Sequence, residues 1–166
     1  MTRLQGLPPI IDEGARVLIL GSFPSTASLA AGQYYAHRQN QFWRLLSALL
    51  AQPLTEMDYA ARQAAVKVAG LAIWDVYRSC ERNGSLDAAI RDGEGNDLRR
   101  LHRLAPRLEL ICFNGRTAAR FEREARSLGY AVAVLPSTSP AYTLAFEEKL
   151  RRWQAALGGV TATTTT

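Results

Sequence analysis

The chain has little of what holds metals or covalent bridges together. Its 166 residues contain two cysteines, Cys80 and Cys112, and two histidines, His37 and His102. Two cysteines do not furnish the ligand set of a structural zinc or an iron–sulfur cluster, and only two histidines are there to help. Both cysteines therefore read as reduced core residues. No apolar run approaches the roughly 20 residues that span a bilayer. Residues 1–10 lack the charged-then-apolar order of a signal peptide, so the expected location is the cytoplasm. A G-x-x-x-x-G-K-[ST] phosphate loop is absent, which weakens any reading as an enzyme of free nucleotides. Lysine is scarce too: Lys67 and Lys149 stand against eighteen arginines.

What remains is ordinary in bulk. Hydrophobic residues make up 48% and charged residues 21%, as in a globular protein with room for one full core. The net charge of +5 suits a polyanionic partner without requiring one.

The most distinctive stretch follows the apolar run Arg16-Val17-Leu18-Ile19-Leu20, which reads as a buried strand. It begins Gly21-Ser22-Phe23-Pro24-Ser25 and continues Gly32-Gln33-Tyr34-Tyr35-Ala36-His37-Arg38-Gln39-Asn40-Gln41-Phe42-Trp43. Flat rings and amide edges of this kind are what a pocket for a planar heterocycle needs. Residues 21–39 read as a loop anchored by the strand before it and by a helix over 41–51, with Asn40 as its N-cap.

Further strands are expected at 71–76, 108–113 and 130–135, separated by helices over 56–69, 97–105 and 117–128, with a last helix over 143–157. Thr55 and Asp58 form a T-x-x-D start for the second helix, and a short helix is expected after Ser85. Residues 80–83 and 92–96 read as polar loops. Residues 1–157 would form one domain, and 158–166 a disordered tail. Short strands that are hydrophobic throughout are covered on both faces, so the pattern predicts a three-layer α/β/α sandwich around a four-stranded parallel sheet. Ligands in such sheets bind beyond the carboxyl ends of the strands. Gly21 to Asn40, Asp75, Asn114 and Pro136 to Tyr142 all fall there.

These residues resemble the uracil-DNA glycosylase superfamily, and within it the hypoxanthine (deoxyinosine) branch. The resemblance spans about residues 17–157. It rests on Gly21-Ser22-Phe23-Pro24-Ser25, Tyr34-Tyr35-Ala36-His37, Asn40-Gln41-Phe42-Trp43, Trp74-Asp75-Val76, Phe113-Asn114-Gly115 and Leu135-Pro136-Ser137-Thr138-Ser139-Pro140. It implies that Gly21, Ser22 and Phe23 line a base pocket, that Tyr35 stacks on a flipped base, and that Asn114 hydrogen-bonds the base edge. Many relatives carry Asp or Asn where Phe23 stands; the hypoxanthine branch has Phe there, with catalysis shifted to the position of Asn40. The segment 136–142 matches a loop that presses into DNA and holds the gap open. Two departures stand out. Arg38 replaces a proline usual after the histidine, and Leu135 replaces the histidine that begins the last motif in uracil-specific enzymes.

The chemistry implied is hydrolysis of the bond between a deaminated base, foremost hypoxanthine, and its sugar, with no metal and no diffusible cofactor. The partner is DNA carrying the altered base, and the expected unit is a monomer. Asn40 has no useful basicity, so it would orient a water; as a plain residue it would be a helix cap. Asp75 is the carboxylate at a strand end, fit to act on the water or the sugar cation, or simply to cap a loop. His37 and Arg38, with Ser137 and Ser139, are candidates for phosphate contacts, and Ala141 or Tyr142 for the wedge. Arg78, Arg82, Arg116 and Arg120 would add phosphate contacts. Lys67 and Lys149 fall on helices away from the pocket motifs, so no Schiff-base chemistry is expected. Two further readings stay open: a uracil glycosylase of mismatched or single-stranded DNA, and a DNA-binding module that has lost catalysis, with Arg38 as the suspect change.

Overall fold

In the computed structural model, which describes residues 2–161, the chain forms seven strands and six α-helices joined by short 3-10 turns. In order these are β1 (Arg3–Gln5), β2 (Val17–Gly21), α1 (Thr26–Ala31), α2 (Phe42–Leu50), α3 (Tyr59–Val68), β3 (Leu71–Asp75), β4 (Tyr77–Glu81), β5 (Arg91–Gly95), α4 (Leu101–Leu104), β6 (Leu110–Asn114), α5 (Glu122–Ser127), β7 (Ala131–Leu135) and α6 (Phe146–Thr161).

Every residue of β2 is buried, and its neighbours alternate between two cores. Val17 and Ile19 pack with Ile73 and Cys112 against Phe42, Leu45 and Leu46 of α2, Val66 of α3, and Trp153 and Leu157 of α6. Leu18 and Leu20 pack on the other face with Trp74, Ile111 and Phe113 against Leu101 of α4 and Ala125 of α5. A strand wedged between two apolar layers has no polar face to show, which is why its sequence runs hydrophobic without alternation. The strands pair in the order β3-β2-β6-β7, all parallel, giving the three-layer sandwich expected from the sequence.

The register lines up the strand ends that matter. Gly21 pairs with Asp75 across β2 and β3. Asn114 ends β6 opposite Leu135 of β7. Asp75, Gly21, Asn114 and the segment after Leu135 thus share one edge of the sheet.

A second sheet, antiparallel and ordered β1-β4-β5, was not anticipated. It takes in residues 80–81 and 92–95, which the sequence suggests are loops. Its strands are polar or glycine-rich, and side chains tie them together: Arg3 and Arg78 both reach Glu94. The expected long loop 21–39 contains α1, capped by Ser25, whose hydroxyl accepts the Ser28 N–H at 3.1 Å. Helix α3 starts three residues later than the T-x-x-D reading implies, because Asp58 is itself the N-cap and accepts the Ala61 N–H at 2.8 Å. Ser85 caps no helix; a 3-10 turn follows at Asp87–Ala89, and Ser85 bonds Thr26 instead. The last helix begins later than expected and runs on to Thr161, past the Gly158 where a tail was expected. Residues 162–166 lie outside the described residues. Cys80 and Cys112 are free and buried.

Candidate active site

The ends of β2, β3 and β6 open into a cavity of about 390 Å³, within the range of small-molecule sites. Its lining includes Gly21, Ser22, Phe23, Tyr35, His37, Asn40, Asp75, Asn114, Ser137, Ser139, Ala141 and Tyr142. Residues scattered over 120 positions of sequence therefore meet in one place. Of the candidate site residues, Arg38 and the four added arginines, Arg78, Arg82, Arg116 and Arg120, are not part of this lining; Arg38 is exposed on the turn beside it.

Asp75 sits at the end of β3 with its backbone carbonyl held by Asn96 Nδ2 at 2.7 Å. The side chain is buried, and Oδ2 has no hydrogen-bond partner among the described residues. Burial, and then the nearby Asp87 carboxylate, push its carboxyl up to about 7, with Arg82 pulling the other way. A buried carboxyl oxygen left without a partner, on a residue that lines a cavity, is a candidate for a functional role. Asp87 itself was not anticipated. It lies in the 3-10 turn after β4, lines the cavity, and accepts the Ser22 hydroxyl at 2.6 Å.

Asn114 is in a different condition. Its Nδ2 donates to Tyr35 Oη at 3.2 Å and to Thr138 Oγ1 at 3.0 Å, while Oδ1 accepts the Thr138 N–H at 3.0 Å. Both amide hydrogens are engaged, and one lone pair on Oδ1 is left. Asn114 thus pins the Tyr35 ring and the last loop before it meets any ligand.

Tyr35 adopts a left-handed backbone conformation, φ 56°, uncommon for a residue with a side chain. Its neighbours hold it there. The Tyr34 hydroxyl donates to the carbonyls of Leu7 and Pro8, the Tyr34 N–H reaches Tyr59 Oη, and the Tyr34 carbonyl accepts Trp43 Nε1. One face of the Tyr35 ring stacks on Phe42 at 3.9 Å and 19°. A planar ligand would meet the other. Burial raises the Tyr35 hydroxyl above its ordinary range, so it stays neutral.

Asn40 forms a tight turn with His37. The Asn40 N–H donates to the His37 carbonyl, and His37 Nδ1 accepts the Gln39 N–H at 3.1 Å, which places the histidine proton on Nε2. Helix α2 begins one residue later than expected, at Phe42, so its N-cap is Gln41 and not Asn40; Asn40, one position further out, accepts the Phe42 N–H through Oδ1 at 3.0 Å. Asn40 thus lines the cavity and braces the start of α2 without being its N-cap.

The last loop is shaped from within. Ser137 and Ser139 hydroxyls accept the N–H groups of Ser139 and Ala141. These N–H groups are spent on the loop, and α6 starts at Phe146, so what the loop leaves for a ligand is its hydroxyl hydrogens rather than a helix N-terminus. Lys149 is not remote, contrary to the sequence reading. It is 1% exposed, and its Nζ donates to the Tyr142 carbonyl at 2.8 Å and the Ser139 carbonyl at 3.4 Å. Arg82 is likewise no surface phosphate contact: it is buried, donates to the carbonyls of Gly84 and Pro24, and lies over the Phe23 ring. No cluster of three or more His, Cys, Asp or Glu side chains suited to a metal occurs among the described residues.

The family model of the uracil DNA glycosylase superfamily matches residues 8–157. The chain belongs to that superfamily. Two relatives from Methanosarcina, each named hypoxanthine DNA glycosylase, are similar over most of their length. The one from Methanosarcina acetivorans is 39% identical over 151 residues, covering 91% of this chain and 96% of the relative. The one from Methanosarcina barkeri is 38% identical over 152 residues, covering 92% and 96%. The solution NMR structure of a candidate uracil DNA glycosylase from Methanosarcina acetivorans superposes with a TM-score of 0.87 at 37% identity, covering 96% of this chain and 99% of that one. No helix among the described residues is long and apolar enough to cross a membrane.

Proposed function

We propose that this superfamily member is a monofunctional DNA glycosylase that hydrolyses the bond between hypoxanthine and deoxyribose in base excision repair. The observation that carries this reading is the state of the cavity: among its lining residues are a neutral tyrosine, Asn114 with one acceptor lone pair left, and Asp75 with one carboxyl oxygen lacking a partner. A base leaves the duplex at a cost of a few kcal/mol, and stacking on the free face of Tyr35 returns on the order of 1–3 kcal/mol. The remaining lone pair of Asn114 Oδ1 accepts an N–H. Hypoxanthine presents one at N1, where adenine presents a lone pair, so the pocket favours the deaminated base.

As the C1′–N9 bond breaks, its electron pair leaves with the purine and the sugar becomes cationic. Ionised Asp75 stabilises that cation. Asn40 orients the attacking water through Nδ2 and the second lone pair of Oδ1; the water's oxygen bonds to C1′ as its proton is lost to solvent, and the departing purine anion takes up a proton from solvent. The products are free hypoxanthine and an abasic site. Lys149 is turned toward loop carbonyls and is not part of the cavity lining, and Lys67 lies on α3, which supports a reaction without a Schiff base.

We assign residues 1–157 to one domain that acts as a monomer on DNA in the cytoplasm, a setting in which the two free cysteines stay reduced. Uracil also presents an N–H, at N3, to the same acceptor and is the second substrate to be tried. The reading is tested with Asn40→Ala: excision is expected to be abolished with DNA binding retained, and equal loss of both would make Asn40 structural.

A further inference from the structure

Four large apolar side chains are exposed among the described residues: Val68, Leu86, Val134 and Tyr142. Two of them, Leu86 at 63% and Tyr142 at 44%, line the same cavity. They reach it from opposite edges of the main sheet. Tyr142 belongs to the segment that follows edge strand β7, and Leu86 to the segment that follows β4, which leads out of the other edge strand, β3.

Leu86 is presented by a clamped backbone. On one side, the Ser85 hydroxyl accepts the Thr26 N–H at 2.9 Å and donates to Thr26 Oγ1 at 3.0 Å. On the other, Asp87 accepts the Ser22 hydroxyl at 2.6 Å. Both clamps fasten the segment to the wall of the cavity, leaving the leucine between them turned to solvent. Tyr142 is held comparably, with its carbonyl on Lys149 Nζ and its ring beneath the same ammonium at 5.4 Å. A lone exposed leucine needs no explanation. A leucine carried on a clamped segment, at a cavity that a second exposed apolar group also lines, has its backbone already ordered and gains from being covered.

We propose that Leu86 is a second apolar contact with duplex DNA, packing on the nucleotide that flanks the extruded base from the side opposite Tyr142. The inference rests on the glycosylase reading above and extends it. Residues 83–90 carry no cation and one carboxylate, Asp87, so this segment is unsuited to phosphate. What it offers DNA is apolar surface, which fits the sugar and the unstacked base edge exposed when a neighbour leaves the helix. Such a contact has value only when a gap has been opened in a duplex; a single strand has no stack to hold apart.

The test compares the parent protein with Leu86→Ala and Leu86→Met in single-turnover release of hypoxanthine from a matched duplex and from the same strand alone. Leu86→Ala is expected to slow release from the duplex about tenfold, the effect of losing most of a leucine's buried surface, and to leave the single strand and the melting temperature unchanged. Leu86→Met is expected to restore most of the duplex rate. Equal loss on both substrates, or no loss on the duplex, overturns the proposal while the glycosylase reading stands. Release from neither substrate by the parent protein overturns that reading, and this proposal with it.

Discussion

Asn114 and Tyr35, 79 positions apart, are joined by a hydrogen bond of 3.2 Å that fixes the floor of the cavity. The same asparagine accepts the N–H of Thr138 and donates to its hydroxyl oxygen, so one amide side chain binds the tyrosine ring to the last loop. Removing it leaves two buried polar groups of Thr138 without partners. Asn114→Ala is expected to cost about 2–4 kcal/mol of stability, and Tyr35→Phe, which breaks one bond and keeps the stack on Phe42, about 1 kcal/mol. Denaturant unfolding measures both; equal costs would mean that Asn114 does not organise the loop.

Gly21 is a glycine for want of space. A Cβ there would lie 2.6 Å from Asp75 Oδ1 and 2.8 Å from Tyr35 Oη. Gly21→Ala must push two cavity groups aside at once, at about 1–3 kcal/mol of strain. Excision by this variant is expected to fall at least tenfold, more than its stability loss explains at a temperature where it remains folded. Near-parental rates would show that the two groups need not keep their places.

Asp75 makes both stability and activity depend on pH. Its carboxyl titrates near 7 in the folded chain and near 3.8 when unfolded. The folded state therefore binds more protons between these values, and the stability owed to the neutral carboxyl, fully present below 3.8, is lost as pH rises through 7. Asp75→Asn does not titrate, so its melting temperature is expected to gain on the parent's from pH 4 to pH 8. Excision, which in the proposed mechanism uses the ionised form, is expected to rise through pH 7, and Asp87→Asn to move that limb to lower pH by removing a like charge. An unshifted limb would take Asp87 out of the account.

Lys149 holds two loop carbonyls without a carboxylate among its recorded partners. A methionine has nearly the same length and no charge to desolvate. Lys149→Met is thus expected to keep or raise the melting temperature, while release from duplex DNA slows severalfold more than release from a single strand. A lower melting temperature with duplex activity intact would make the lysine a packing residue alone.

The main sheet was legible because each strand is a short apolar run with covered faces, and the site because its motifs sit at strand ends. The small sheet was not, because Arg91-Asp92-Gly93-Glu94-Gly95 has neither alternation nor β-branched residues and is held by backbone pairing and by arginines on Glu94. Asp87 was invisible for a related reason: it lies in a polar turn that the fold, not a motif, carries to the cavity. The position of Lys149 did leave a sign. Lys149, Trp153 and Leu157 recur every four residues, one buried stripe of α6 in which the lysine shares the apolar face. Scarcity in lysine drew attention to the residue, but helix membership alone did not say which way it faced.

The most direct measurement is single-turnover base release, in chelator, from matched duplexes that carry one hypoxanthine or one uracil, by the parent protein and by Asn40→Ala. The account predicts hypoxanthine release by the parent, slower uracil release, an intact abasic strand until base is added, and no release by Asn40→Ala although it still binds DNA. Release of uracil alone, or strand cleavage without added base, would contradict it.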